Sequence, residues 1–126
     1  MQKKIIRTAN APQPIGPYNQ AVLVGNTLYI AGQIAMDVET GSTEVKDISE
    51  ETSRIMSHLR AILGEAGMDF NDVVKTTIFL SDMALFSAVN EVYGTYFTSD
   101  YPARETVAVK GLPKNVNVEI SMIAAK

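Results

Sequence analysis

The sequence has no cysteine and no tryptophan, and His58 is its only histidine. Without cysteine, disulfide bonds, thiolate catalysis and cysteine-ligated metals are all excluded. A histidine with no second histidine or cysteine beside it does not indicate a metal site. His58 precedes the apolar Leu59, and we predict that it lies on the flank of a helix.

Positive charge and long hydrophobic runs are also scarce. The chain has 14 acidic and 11 basic residues, for a net charge of −3, so we do not expect a nucleic-acid partner. The segment 1–7 lacks the apolar run of a signal peptide, and no later stretch is long enough to cross a bilayer. We therefore expect one domain, residues 1–126, in a cytoplasmic protein, with a mitochondrial form as the alternative.

Apolar periodicity predicts six strands and two helices in the order βββαβαββ. Asp47 begins a capping box ahead of a helix that ends at Gly67, and Asp82 can cap the second helix. This order predicts an α+β fold in which one sheet carries both helices on one face. The predicted strands are 3–7, 18–24, 27–34, 73–80, 102–109 and 116–122.

The last two predicted strands carry an arginine and a glutamate. If they form a hairpin with Val109 opposite Val116, Arg104 and Glu119 are diagonal neighbours on one face, about 7–8 Å apart. A fixed cation and a carboxylate at that distance could bind an acidic small molecule and activate water beside it. The alternative interpretation is an ordinary cross-strand ion pair, which contributes little to stability when exposed.

The sheet face that carries this pair is predicted to be partly apolar. In addition to Arg104 and Glu119 it would hold Thr106, Ala108 and Ile123. A second copy of the chain could cover such a face, which predicts a homo-oligomer. The arginine and the glutamate would then lie in a partly dry crevice between subunits.

Seven short motifs occur in order along nearly the whole chain, and together they resemble the RidA family, also called the YjgF family, of reactive-intermediate enamine/imine deaminases. No single motif is specific, but their combined order and spacing are. The motifs are Ile15–Ala21, Ile30–Ile34, Val74–Thr77, Val89–Asn90, Pro102–Arg104, Leu112–Lys114 and Val118–Ile120.

This resemblance implies a chorismate-mutase-like fold, a homotrimer, and active sites in the clefts between subunits. It implies hydrolysis of 2-imino acids, such as 2-iminopropanoate and 2-iminobutanoate, to 2-keto acids and ammonia, without a metal or an organic cofactor. Two other functions stay open. One is an endoribonuclease or translation inhibitor, an activity also attributed to the family. The other is a non-catalytic trimer that binds carboxylate metabolites.

The resemblance also assigns roles to individual residues. Arg104 would grip the substrate carboxylate, because its planar fork suits a bidentate bond. Glu119 would hold and activate the attacking water. Tyr18, Gly32 and Asn90 would line the substrate site.

Two further positions of the predicted substrate site depart from the commonest family pattern. Ala31 stands where a serine is frequent, and Thr106 stands where a cysteine is frequent. Neither change removes the carboxylate grip or the water-activating group. We expect the two departures to affect the range of substrates and not the type of reaction.

Overall fold

The computed structural model describes residues 2–126 and contains six strands and two α-helices in the predicted order. The helices are separated from some strands by single 3-10 turns. The elements are β1 (Lys3–Ile6), β2 (Ala21–Val24), β3 (Thr27–Gln33), α1 (Ile48–Glu65), β4 (Val73–Leu80), α2 (Phe86–Gly94), β5 (Ala103–Ala108) and β6 (Val118–Ala125). The α+β fold predicted from the sequence is therefore confirmed.

The six strands form one mixed sheet in the order β1-β2-β3-β6-β4-β5. Alternate residues of β4 and β6 point towards the two helices and are buried, because side chains alternate between the faces of a strand. They pack against the apolar stripe of α1, which includes Ile55, Leu59 and Ile62. Both helices thus cover one face of the sheet, and the hydrophobic core lies between them.

The predicted hairpin between the last two strands is wrong. β5 and β6 are not neighbours, because β4 lies between them and pairs with both. β4 and β5 run parallel, and α2 provides the long connection that a parallel pair requires. The strand–helix–strand order was the sequence signal for this arrangement, and it outweighs the short spacing that suggested a hairpin.

This topology separates the two residues that the hairpin would have joined. Arg104 lies opposite Thr76 of β4, whereas Glu119 lies opposite Phe79. Positions three apart on one strand face opposite sides of the sheet, so Arg104 faces the helices and Glu119 faces away from them. Their strands are also about 10 Å apart, because one strand lies between them. Within one chain the two residues therefore form no ion pair.

The sheet face opposite the helices is uncovered and partly apolar, with the ion pair between Lys75 and Glu105 at one edge. Ile5, Tyr29 and Val107 lie on this face and are 43%, 50% and 46% exposed. The predicted hairpin would have placed Val107 in the core, but its pairing with Phe79 of β4 puts it on the uncovered face. No helix in residues 2–126 is both long and apolar enough to span a membrane.

A buried carboxylate fixes the start of β6. Glu51 of α1 is only 3% exposed, and its oxygens accept hydrogen bonds from the backbone amides of Asn117 and Val118, both at 2.9 Å. The Asn117 side chain adds a third bond at 3.3 Å. These two amides immediately precede Glu119, so helix α1 determines where that residue enters the sheet.

Replacing Glu51 with alanine should destabilise the fold by about 3–5 kcal/mol, because it leaves two backbone amides without their charged acceptor. Glu51→Gln should cost less, since one oxygen can still accept. Urea unfolding measures both changes. Glu65→Gln, at the exposed end of the same helix, is the matched control and should change the free energy of unfolding by less than about 0.5 kcal/mol. Equal effects of Glu51→Ala and the control would contradict the anchoring role.

Candidate active site

A cleft of about 310 Å³ opens where β3 ends and the antiparallel β6 begins. Four of the predicted site residues line it, namely Tyr18, Ala31, Gly32 and Glu119. Tyr18 comes from the loop before β2, and the other three come from β3 and β6. The remaining wall is mostly apolar and includes Ile15, Ile34, Met36 and Pro113.

A bulge in β3 brings its backbone close to Glu119. Ile30 pairs with Met122 and Gln33 with Ile120, so two residues of β3 face one residue of β6. Gly32 is one of those two. A Cβ atom at this position would lie 2.8 Å from both Cδ and Oε2 of Glu119. Glycine is therefore required here by the close approach of the carboxylate and not by an unusual φ.

The environment of Glu119 makes its carboxylate a stronger base than usual. Partial burial raises the pKa of Glu119 above its ordinary value, and removal from water is the sole cause of the shift. No hydrogen bond or cation among residues 2–126 lowers the pKa in opposition. A carboxylate of this kind, open to a cleft, suits a general base for a water molecule.

Buried polar side chains hold two loops of the cleft wall. Gln20 is 1% exposed, and its amide bonds the backbone of Thr8 at 2.7 and 3.0 Å and the carbonyl of Pro12 at 2.9 Å. On the other side, Nε2 of His58 lies 2.7 Å from the carbonyl oxygen of Met36. His58 was predicted on the flank of a helix. It lies in α1, but it is buried and supports the cleft.

The predicted carboxylate-binding arginine lies in a second cleft, of about 400 Å³, beside α2. Nη1 of Arg104 donates a hydrogen bond of 2.6 Å to Oδ1 of Asn90. The guanidinium carbon lies 5.6 Å from the ring centre of Phe86 and 5.2 Å from that of Tyr93. All of these partners are neutral, so the positive charge of Arg104 is not compensated by a carboxylate of residues 2–126.

The structure therefore divides the predicted site residues between two clefts. Thr106 lines neither of them, and its hydroxyl is buried without a hydrogen-bond partner. The contacts of Phe86 and Tyr93 with Arg104 were not predicted from the sequence. The signal was available, because positions 86, 90 and 93 share one face of a helix and the middle one is polar.

The sequence and the fold are those of a known family. Residues 8–126 match the family described as Endoribonuclease L-PSP. The chain is 50% identical over 126 residues to a RutC family protein of Pyrococcus abyssi, covering 100% of this chain and 99% of that protein. It is 46% identical over 122 residues to the human 2-iminobutanoate/2-iminopropanoate deaminase, covering 97% and 89% of the two chains.

A solved structure shows the same relationship. The crystal structure of RidA from the Antarctic bacterium Psychrobacter sp. superposes with a TM-score of 0.93 at 39% identity, covering 98% of this chain and 99% of that one. The chain belongs to the Endoribonuclease L-PSP family, to which RidA proteins are related by fold and sequence. The family resemblance inferred from the seven sequence motifs is confirmed.

Replacing Gly32 with alanine should destabilise the protein by about 1–3 kcal/mol, because the new methyl group overlaps the Glu119 carboxylate. Gly64→Ala is the matched control: it lies in α1 with open space around it, and it should stabilise the protein by about 0.5–1 kcal/mol. The unfolding midpoint in urea reports both changes. The double variant Gly32→Ala/Glu119→Ala should recover much of the loss, and a loss that persists in it would show that the overlap lies elsewhere.

Proposed function

We propose that this protein hydrolyses small 2-imino acids, such as 2-iminopropanoate and 2-iminobutanoate, to 2-keto acids and ammonia. The observation that carries the proposal is a pair of ionisable groups without a charged partner among residues 2–126: a carboxylate with a raised pKa in one cleft and a guanidinium in the other. The deaminase name of the human relative, at 46% identity, supports the same reaction. The apolar wall around Glu119 suits the short apolar side chain of these substrates.

Each proposed step uses a group of this chain. Arg104 binds the substrate carboxylate through two parallel hydrogen bonds. Glu119 takes a proton from a water molecule as its oxygen attacks the imine carbon. The nitrogen of the tetrahedral adduct receives that proton and becomes an amino group. Glu119 then passes the hydroxyl proton to the same nitrogen as the carbon–nitrogen bond breaks, so ammonia leaves, the carbonyl of the 2-keto acid forms, and the carboxylate is regenerated. Water supplies the new oxygen, so the step needs no metal, oxidant or organic cofactor.

The proposed site is complete only when two subunits meet. Arg104 and Glu119 of one chain face opposite sides of the sheet, so the arginine of one subunit must share a cleft with the glutamate of a neighbour, with the substrate between them. The uncovered apolar sheet face is suitable for burial between copies. We therefore propose a homotrimer with its active sites in the clefts between subunits, as the resemblance to RidA implies.

The family description favours one other candidate, an endoribonuclease. The net charge of −3 argues against a surface for RNA. The single histidine also argues against it, because His58 is buried against Met36 and is not free for acid–base chemistry. The third possibility, a trimer that binds carboxylate metabolites without turnover, predicts binding of 2-keto acids but no acceleration of imine hydrolysis.

The role of Glu119 in imine hydrolysis can be tested with 2-iminopropanoate that an amino-acid oxidase generates in the assay. Wild-type protein should accelerate pyruvate formation above the spontaneous rate, and Glu119→Gln should lose about 100-fold or more of kcat/KM while still binding 2-keto acids. Only the ionised carboxylate can accept a proton. The wild-type kcat/KM should therefore fall as the pH drops through the raised pKa of Glu119.

Spontaneous hydrolysis, measured at each pH without protein, is the control for this profile. Binding without acceleration by the wild-type protein would favour the non-catalytic trimer. A ribonuclease activity that copurifies with the wild-type protein and is absent from Arg104→Ala would favour the ribonuclease function.

Mixing two inactive variants tests the shared cleft. Arg104→Ala and Glu119→Gln should each form trimers with little activity. When the two are unfolded together in equal amounts and refolded, random assembly should restore about one quarter of the clefts, those that combine both intact residues. Activity should return to about that fraction of wild type. A mixture that stays inactive, although light scattering shows mixed trimers, would mean that each site lies within one subunit.

A further inference from the structure

Three side chains on one face of α2 surround the guanidinium of Arg104. Phe86, Asn90 and Tyr93 follow one another at helical spacing, so they face the same way. The two rings pack against the guanidinium, at 5.6 and 5.2 Å from its carbon, and Asn90 accepts its Nη1 hydrogen at 2.6 Å. Each contact reduces the number of rotamers that the long side chain of Arg104 can adopt.

The ring of Tyr93 is itself anchored to the sheet. The hydroxyl group of Tyr93 donates a hydrogen bond of 3.0 Å to Oγ1 of Thr76, and both residues are buried. Thr76 is also the residue of β4 that lies opposite Arg104 in the sheet. Thr76 therefore contacts Arg104 in two ways, by strand pairing with its backbone and, through Tyr93, by supporting its side chain. Because both contacts involve the same residue of β4, the guanidinium should keep its position relative to β4.

The hydrogen bond with Asn90 leaves one edge of the guanidinium free. A guanidinium can only donate, so the oxygen of Asn90, and not its nitrogen, must face Arg104. That oxygen accepts a hydrogen bond from Nη1, while Nε and Nη2 of Arg104 form no hydrogen bond with residues 2–126. These two nitrogens form a parallel fork of the kind that binds a carboxylate with two bonds.

We propose that Asn90 is a positioning residue, which fixes Arg104 so that the Nε/Nη2 edge is presented to the carboxylate of the ligand. The family resemblance had suggested that Asn90 itself binds substrate. Its oxygen is already engaged by Arg104, so it acts on the ligand through the arginine. Phe86 and Tyr93 hold the plane of the guanidinium, while Asn90 fixes its rotation within that plane. The proposal rests on the proposed carboxylate site but not on the hydrolysis step.

A double-mutant cycle measures whether Asn90 acts through Arg104. The affinity for 2-ketobutanoate is determined by calorimetry in wild type, Asn90→Ala, Arg104→Ala and the double variant. Asn90→Ala should weaken binding by about 3- to 10-fold, as expected for one lost hydrogen bond. The double variant should bind no more weakly than Arg104→Ala alone, because Asn90 has nothing to position once the arginine is gone. Losses that multiply would show that Asn90 contacts the ligand itself and would overturn the proposal.

A charged variant provides an independent measurement. Asn90→Asp keeps the shape of the side chain but places a carboxylate on Nη1, where it competes for the positive charge, so binding should be weaker than in Asn90→Ala. Asn26→Asp makes the same change of net charge in the exposed turn between β2 and β3 and should bind like wild type. Equal binding by Asn90→Asp and wild type would overturn the proposal.

The two proposals fail in different ways. If binding follows the predicted cycle but the wild-type protein does not accelerate imine hydrolysis, the positioning role stands and the deaminase function is wrong. If hydrolysis is accelerated but the cycle is additive, the deaminase function stands and the positioning role is wrong. Absence of any 2-ketobutanoate binding by the wild-type protein would overturn the positioning role together with the carboxylate site.

Discussion

The backbone hydrogen bonds that β4 makes on both of its edges set the geometry of the whole molecule. β4 is the apolar, β-branched strand over which the core is built, and it pairs with β6 on one side and with β5 on the other. Because of this position, the last two strands cannot meet. Glu119 and Arg104 consequently face opposite sides of the sheet and open into different clefts.

Separation within one chain has an electrostatic consequence. If the two residues had been neighbours, the arginine would have been neutralised and the carboxylate would have become a weaker base. Instead, Arg104 has only neutral partners, and burial alone acts on Glu119 and raises its pKa. In the proposed assembly the substrate lies between the two groups across an interface. The charge of Arg104 is then available to bind the substrate carboxylate, and Glu119 is available to accept a proton from water. The proposed trimer follows from this constraint as much as from the apolar sheet face.

Both clefts are supported by polar groups that are themselves buried. Glu51 holds the start of β6, Gln20 holds the loop around Pro12, and His58 bonds the carbonyl of Met36. On the opposite side, Tyr93 and Thr76 support Arg104. Buried polar groups are costly unless they are paired, so each of these contacts has one favoured arrangement. The clefts can therefore keep their shape even though loops form much of the wall.

The sequence alone determined the elements and the family. Hydrophobic periodicity predicted all six strands and both helices, and β4 was predicted at its observed bounds of Val73–Leu80, because period and propensity are local properties of the chain. Motif order identified the family without any knowledge of contacts. The local pattern around the last two strands, however, was compatible with a hairpin, and this prediction was wrong.

Only the tertiary structure decided which strands pair and hence which residues face each other. Strand pairing is a non-local property, and two strands close in sequence compete with a third that can bury more apolar surface between them. The divided site, the close approach of Gly32 to Glu119 and the contact of Asn90 with Arg104 all follow from that pairing. The residues were visible in the sequence, but their distances depend on the position of β4 between β5 and β6, which the apolar pattern of a single strand does not encode.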